Sequence, residues 1–258
     1  MNKPQPSIFI TGAGSGIGAA SARRFAKAGW RVGLSDVDPA KVAALAAGLG
    51  DNATAHPADV RDSGQLRSAI EAFCGPSQRL DVLFNCAGIL DMQLFASASL
   101  DRLHAVMDVN VIGVINGCHV ALPHLRNSGN ARIVTMSSLA AVYGVPEEAA
   151  YSASKFAVRG LTEALNIEFE ADGIWVCDLM VGYVATPMVI EAEVQARSVE
   201  LAGVNVTAEQ VAETVWQAAT GEHKVHWFVN DHAVGTAEAF DRLDWDSRRE
   251  AMKRGAGF

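Results

Sequence analysis

Positive charge is in short supply: 21 Lys and Arg stand against 29 Asp and Glu, a formal net charge of -8. An acidic chain repels phosphate backbones and anionic lipid at long range, so neither nucleic acid nor a membrane surface is an expected partner. Cysteine is nearly absent as well. Cys74, Cys86, Cys118 and Cys177 form no CxxC pair and each stands in an apolar stretch. That argues against a zinc or disulfide framework and predicts four buried thiols. The seven histidines are scattered without ligand spacing, so no catalytic metal is expected. No repeat, low-complexity tract or linker is visible, no signal peptide is expected, and no stretch reads as long and apolar enough to span a bilayer. A single cytoplasmic domain over residues 1–258 is the expectation.

What the chain does have is hydrophobic bulk, 50% of its residues, laid out in alternation. SIFITG, RVGLSD, ATAHPAD, LDVLFNCAG, ARIVTMSS, IWVCDLMVG and KVHWFVN read as strands, separated by segments of helical period. The alternation predicts an α/β fold: a three-layer, doubly wound Rossmann arrangement with a seven-stranded parallel sheet covered on both faces. Asp38-Pro39 opens one helix, and Thr207-x-x-Gln210 reads as the capping box of another. Residues 187–206 carry no strand pattern and suit either a mobile lid or a helical insertion. From about 236 a charged tail follows.

The first strand-to-helix turn is Thr11-Gly12-Ala13-Gly14-Ser15-Gly16-Ile17-Gly18. Glycine permits the sharp turn and lets a ligand approach the backbone, and the helix that follows offers unpaired N–H groups to a diphosphate. The spacing fits G-x-x-x-G-x-G rather than G-x-G-x-x-G, since Ile17 stands where the latter needs glycine. Asp36 closes the second strand, where a carboxylate accepts from ribose hydroxyls and repels a 2′-phosphate. Neither Ser15 nor Val37 offers a compensating positive charge, which favours NAD over NADP. An ordinary strand-end aspartate is an equally common reading of Asp36 taken alone.

Tyr151-Ser152-Ala153-Ser154-Lys155 starts a helix, so Tyr151 and Lys155 share a face. An ammonium beside a phenol lowers the phenol's pKa and prepares it to exchange a proton with an alcohol. The pair gains weight from Ser138, at the end of the fifth strand, whose hydroxyl suits a carbonyl oxygen. Gly12, Asp36, Asp59, Asn85, Ser138 and Gly182 all fall at strand carboxyl ends, where open parallel sheets bind ligands.

Taken in order, these motifs resemble the short-chain dehydrogenase/reductase family along essentially the whole chain. Thr11–Gly18 is similar to TGxxxGxG, and Asn85-Cys86-Ala87-Gly88 to NNAG with cysteine in place of the second asparagine. Val181-Gly182-Tyr183-Val184-Ala185-Thr186 is similar to PGxVxT, with valine for proline. The resemblance implies that Asn110, Ser138, Tyr151 and Lys155 are catalytic, with Asn110 holding a water in a proton relay. It implies that Gly12, Ser15, Gly16, Ile17, Gly18, Asp36, Val37, Asp59, Val60, Asn85, Ala87, Gly88, Gly182, Val184 and Thr186 meet the cofactor NAD, with Asp59-Val60 at the adenine. Lys155 is also implied at the nicotinamide ribose.

The expected activity is hydride transfer between NAD(H) and a secondary alcohol or ketone. Leu90, Val145 and Met188 are expected to line an apolar substrate pocket with Ser138 and Tyr151, suiting an aromatic, alicyclic or steroid-like compound. Covering the core is the competing role for such residues. Glu147 and Glu148 have two readings, recognition of a polar substrate group and the commoner one of solvated surface glutamates. An NADPH-dependent 3-oxoacyl or other ketone reductase and a non-catalytic NAD-binding sensor are the alternative functions. The family's D-G-G ending is missing. A homodimer or homotetramer, paired through the helical regions Ser99–Leu125 and Tyr151–Ala171, is the expected assembly.

Overall fold

The computed structural model describes residues 5–258. Nine strands and eleven α-helices alternate along them. The strands are β1 (Ser7–Thr11), β2 (Arg31–Ser35), β3 (Ala53–Ala55), β4 (Val82–Asn85), β5 (Ala131–Met136), β6 (Ile174–Met180), β7 (Val184–Ala185), β8 (Val206–Thr207) and β9 (His226–Phe228). The helices are α1 (Gly16–Lys27), α2 (Pro39–Leu49), α3 (Ser63–Cys74), α4 (Leu100–Met107), α5 (Gly113–Arg126), α6 (Ala149–Glu168), α7 (Pro187–Ile190), α8 (Arg197–Ala202), α9 (Ala208–Thr220), α10 (Asp231–Asp241) and α11 (Trp245–Gly255). Seven strands form the expected parallel sheet, in the order β3-β2-β1-β4-β5-β6-β9, while β7 and β8 pair separately. The order reverses direction beside β1, the switch point at which such sheets leave a crevice.

Side-chain alternation along the strands builds two cores. Ile8, Ile10, Val32, Leu34, Phe84, Val134 and Leu179 pack with Phe25 of α1 and with Val211 and Val215 of α9. Phe9, Leu83, Ile133 and Val176 turn the other way, onto Ile70 and Phe73 of α3 and Val114, Ala121 and Leu125 of α5. The helix starts follow local chemistry. Asp38 accepts from the amides of Ala40 and Lys41, Asp62 from those of Gly64 and Gln65, and Thr207 and Gln210 form the full capping box.

Several expectations are corrected. The strands stop short of their apolar segments, because the residues beyond them turn into the loops that carry the site. Leu100–Arg126 passes the length and hydropathy test for a bilayer span, contrary to the sequence reading. Within it Val114, Val120, Ala121 and Leu125 pack into the core beneath the sheet and Leu103 and Val106 are also buried, whereas Leu100, Ile112 and Ile115 are exposed. Residues 187–206, the expected lid or helical insertion, contain the short helices α7 and α8. The charged tail is the two helices α10 and α11, capped by Asn230 and Asp244. Three cysteines are buried as expected, whereas Cys86 is only partly covered; all four are free thiols.

Phe25 is fully buried and meets Trp30 and Trp216, each with ring centroids 5.1 Å away. This aromatic cluster fastens α9 to α1. Phe25→Ala is expected to lower the unfolding free energy by about 3–5 kcal/mol, read by urea denaturation.

Candidate active site

The β1–α1 turn places glycine where its backbone bends sharply or is closely approached. Gly12 has φ +67° and Gly16 φ +48°, both in the left-handed region. A Cβ on Gly18 would lie 2.2 Å from the carbonyl oxygen of Gly12, and one on Gly12 would lie 2.7 Å from Cα of Ala87. The turn thus packs tightly against both its own helix and the loop after β4. Thr11 fixes that second contact, its hydroxyl oxygen accepting from the amides of Cys86 and Ala87 at 3.1 and 3.2 Å. The first intrahelical bond runs from Ala19 N–H to Ser15 O at 3.1 Å. The amides of Gly16, Ile17 and Gly18 precede it, and all three residues border a cavity of about 570 Å³. A turn with glycine at positions 12, 14, 16 and 18, backed by free helix amides, fits the diphosphate of a dinucleotide.

Asp36 borders the same cavity and is held by two amides, Gly14 N–H to Oδ2 and Asp38 N–H to Oδ1, both at 3.0 Å. Sequence reasoning overlooked one nearby cation, Lys41. Its ammonium is already turned to Asp38 at 3.6 Å. Thr186, beyond β7, closes over the turn: a Cβ on Gly16 would come within 3.1 Å of its methyl group. The cavity therefore joins both halves of the sheet.

Ser138, Tyr151 and Lys155 line the cavity together. Ser138 follows β5 and starts a short 3-10 turn, accepting from Ala140 N–H at 3.1 Å and reaching Val181 O at 3.5 Å. Lys155 is buried, donates to Met136 O at 2.8 Å, and stands 5.3 Å from the centre of the Tyr151 ring. The expectation that this ammonium makes the phenol acidic is corrected for the chain by itself. Burial pushes the Tyr151 hydroxyl above its ordinary value and the neighbouring Glu148 adds to this, while Ser138 pulls it back. Burial also lowers Lys155 to about 8. The lysine is bonded to a backbone carbonyl rather than to the phenol, so desolvation outweighs its charge.

Of the other expected residues, Ala87, Gly88, Gly182, Val184, Leu90, Val145 and Met188 border the cavity. Five do not. Val37 points to solvent, 70% exposed. Asp59 is bound up with Arg61 at 2.6 Å, beside Val60, which packs under α5 against Gly113. Asn85 is turned into the core beneath Gly117, its amide 3.5 Å from the Cys118 sulfur. Asn110 lies at a π-turn joining α4 to α5, a distortion that often marks functional sites. Its amide is fully engaged, with Ile89 N–H at 2.8 Å, Ile89 O at 2.9 Å and Ser154 Oγ at 3.1 Å. The side chain ties the loop after β4 to α6 and does not reach the cavity.

Other lining residues escaped the sequence. Asn230, His232, Thr236 and Phe240 come from the start and length of α10, and Ala251, Met252 and Gly255 from α11. The Asn230 and Asp244 caps were the readable sign that the tail is helical; nothing local says that it folds back over the cavity. Glu148 is buried in the cavity wall, where the sequence favoured a solvated carboxylate. Among the described residues, no group of three or more His, Cys, Asp or Glu is placed to hold a metal.

A short chain dehydrogenase family model matches residues 6–197. The Escherichia coli K12 oxidoreductase UcpA is 38% identical over 185 residues, 70% of each chain. A cyclohexanol dehydrogenase of Acinetobacter sp. strain SE19 is 33% identical over 197 residues, 75% of this chain and 78% of that one. Among solved structures, a Burkholderia phymatum short chain dehydrogenase/reductase in complex with NAD has a TM-score of 0.80 and 26% identity, over 91% of this chain and 92% of that one. A Sphingobium yanoikuyae short-chain dehydrogenase in complex with NADPH has a TM-score of 0.79 and 25% identity, over 96% and 95%.

Glu148 gives the site a pH signature. Burial raises its carboxyl from 4.5 to about 7, against the hydrogen bond from Tyr183. The unfolded chain therefore sheds this proton at lower pH than the native one does, and stability falls as pH rises from about 4.5 to about 7, then levels. Glu148→Gln removes that slope. Relative to wild type, the variant should be about 3 kcal/mol more stable at pH 8 than the same comparison at pH 4 gives, measured by urea denaturation.

Proposed function

The chain belongs to the short-chain dehydrogenase/reductase family, and on that premise we propose that it is an NAD-dependent dehydrogenase of apolar secondary alcohols, working reversibly on the corresponding ketones. One observation carries the reading: Ser138, Tyr151 and Lys155 meet in the same cavity as the glycine turn and Asp36. Tyr151 is the proton-exchanging group, positioned by α6 with its hydroxyl in a buried setting where a proton moves to substrate rather than to water. Ser138, anchored by Ala140 N–H, offers its hydroxyl to the substrate oxygen. Lys155 keeps a positive charge beneath the phenol and holds α6 to the end of β5. Bound NAD would accept the hydride and, while oxidised, add a positive charge that favours the phenolate. The amides of Gly16, Ile17 and Gly18 are the residues that would hold its diphosphate.

Two features support NAD over NADP. The Asp36 carboxylate is fixed in place by backbone amides, and the Lys41 ammonium is turned to Asp38. A fixed carboxylate there disfavours a 2′-phosphate. Apolar substrates are supported by the lining, in which Leu90, Val142, Val145, Met188 and Val189 share the cavity with the reacting groups. Ile112 and Ile115 of the α4–α5 arm and Phe156 and Ile167 of α6 are exposed, which supports pairing of two copies through these helices.

Two measurements test the reading. Tyr151→Phe should lower kcat for NADH formation from a secondary alcohol by about 10²–10⁴ while leaving coenzyme binding, followed by NADH fluorescence, intact. Wild-type turnover in that variant overturns the assignment. Asp36→Ala should raise kcat/KM with NADP relative to NAD; a ratio that does not move means Asp36 does not choose the coenzyme.

A further inference from the structure

The cavity wall carries a carboxylate for which hydride transfer has no use. Glu148 stands at the N-terminal boundary of α6, one turn ahead of Tyr151, and is 3% exposed. At that position a side chain ordinarily caps the helix, but that of Glu148 makes no such bond. It turns instead to the cavity, which it lines.

Its surroundings are built rather than incidental. The preceding residue, Glu147, adopts φ +66°, a conformation that non-glycine residues take up at a cost. Two bonds pin it there: Gln93 N–H to its carbonyl oxygen and Arg197 N–H to its carboxylate, both 2.8 Å. The backbone is thereby bent at the point that sends the next side chain inward. Oε1 of Glu148 then accepts from the Tyr183 hydroxyl at 2.6 Å, and Tyr183 lies 2.7 Å from Ser198 Oγ. With Tyr183 donating to the carboxylate, Ser198 donates to Tyr183, and every donor in the chain points toward Glu148. Oε2 has no hydrogen-bond partner among the described residues, nor is it shut away from the cavity. The open end of the network is therefore an acceptor. The cavity it opens into is lined by the apolar Leu90, Val142, Val145, Val189 and Met252 and, among polar residues, by Asn205, Asn230, His232 and Thr236.

We propose that Glu148, aligned by Tyr183 and Ser198, is a substrate-recognition group that receives a hydrogen-bond donor, hydroxyl or ammonium, carried by an otherwise apolar secondary alcohol a few bonds from its oxidised carbon. The location of that carbon rests on the dehydrogenase reading above; the subsite itself does not. A buried carboxylate left without a partner is costly, and a site with such a group rejects analogues that cannot satisfy it. The substrate class becomes diols and amino alcohols on an apolar frame rather than plain alcohols.

Calorimetry on the full chain with NAD present tests this with cyclohexanol, 2-methoxycyclohexanol, trans-1,2-cyclohexanediol and trans-2-aminocyclohexanol. The diol or the amino alcohol is expected to bind roughly ten- to hundredfold more tightly than the first two, and which of them leads tells hydroxyl from ammonium. Glu148→Met should bring the four affinities together. Glu148→Gln keeps the shape and the Tyr183 contact should the methionine variant not fold. Its amide presents a donor, so the methoxy compound should gain on the amino alcohol. A tie of purely structural use would instead weaken all four ligands alike. Wild-type affinities within twofold of one another, no binding of any ligand, or a preference that survives in Glu148→Met overturns the proposal. NADH formation with the same alcohols separates the two readings. Binding preference without turnover removes the dehydrogenase and keeps the subsite, and turnover without preference does the reverse.

Discussion

Because all neighbours in the large sheet run parallel, each strand delivers its last residues to one edge, and the cavity exists where those residues leave the sheet. The edge is held in register by bonds that cross between strand ends. Ala13 N–H reaches Ser35 O, Thr11 Oγ1 takes two amides beyond β4, and Leu139 N–H reaches Val181 O at 3.0 Å. These bonds fix the glycine turn, Asp36, Ser138 and the loop leading to Tyr183 relative to one another. The helices then add what the strands cannot. α6 brings Tyr151 and Lys155 against the end of β5, and α10 and α11 cover the opening. A change that shifts one strand end therefore shifts its neighbour.

The parts of this arrangement that were legible in the sequence are those governed by local chemistry. Glycines at a strand-to-helix turn, the Asp38 and Thr207 caps, and short apolar runs such as Ser7–Thr11 state their structure within a few residues. The tyrosine and lysine on one face of a helix follow from helical period alone. Long-range placement is a different matter. Asn85 ends β4 as expected, yet the absence of a side chain at Gly117 draws it into the core instead of the cavity. The side-chain amide of Asn110 is taken up by Ile89 and Ser154, partners brought from the loop after β4 and from α6. Both asparagines were correctly placed on their elements, and only the packing partner decides which way each side chain faces.

The tail illustrates the same limit. Its mean character is polar, with Trp245 and many charges outside, and that hid the narrow inner face formed by Ala251, Met252 and Gly255. Burial of Glu148 was hidden for a related reason. Two adjacent glutamates after a proline look like a solvated turn, and composition carries no sign that Glu147 adopts a left-handed backbone. That conformation is stabilised by Gln93 and Arg197, residues far from it along the chain.

Electrostatics gives the site its character once these groups are assembled. Desolvation acts on three neighbours in the direction that empties the cavity of charge: it raises Tyr151 and Glu148 and lowers Lys155. The chain by itself thus tends toward a neutral phenol, a partly protonated carboxyl and a weakly held ammonium proton. Such a site gains most from ligands that restore opposite charge or hydrogen bonding at each position. A positive ring near Tyr151 and a donor at Glu148 act in the same sense, since satisfying Glu148 removes part of the negative potential that keeps the Tyr151 proton in place. Proton exchange at the phenol and recognition at the carboxylate are therefore coupled through one low-dielectric volume, one helical turn apart on α6.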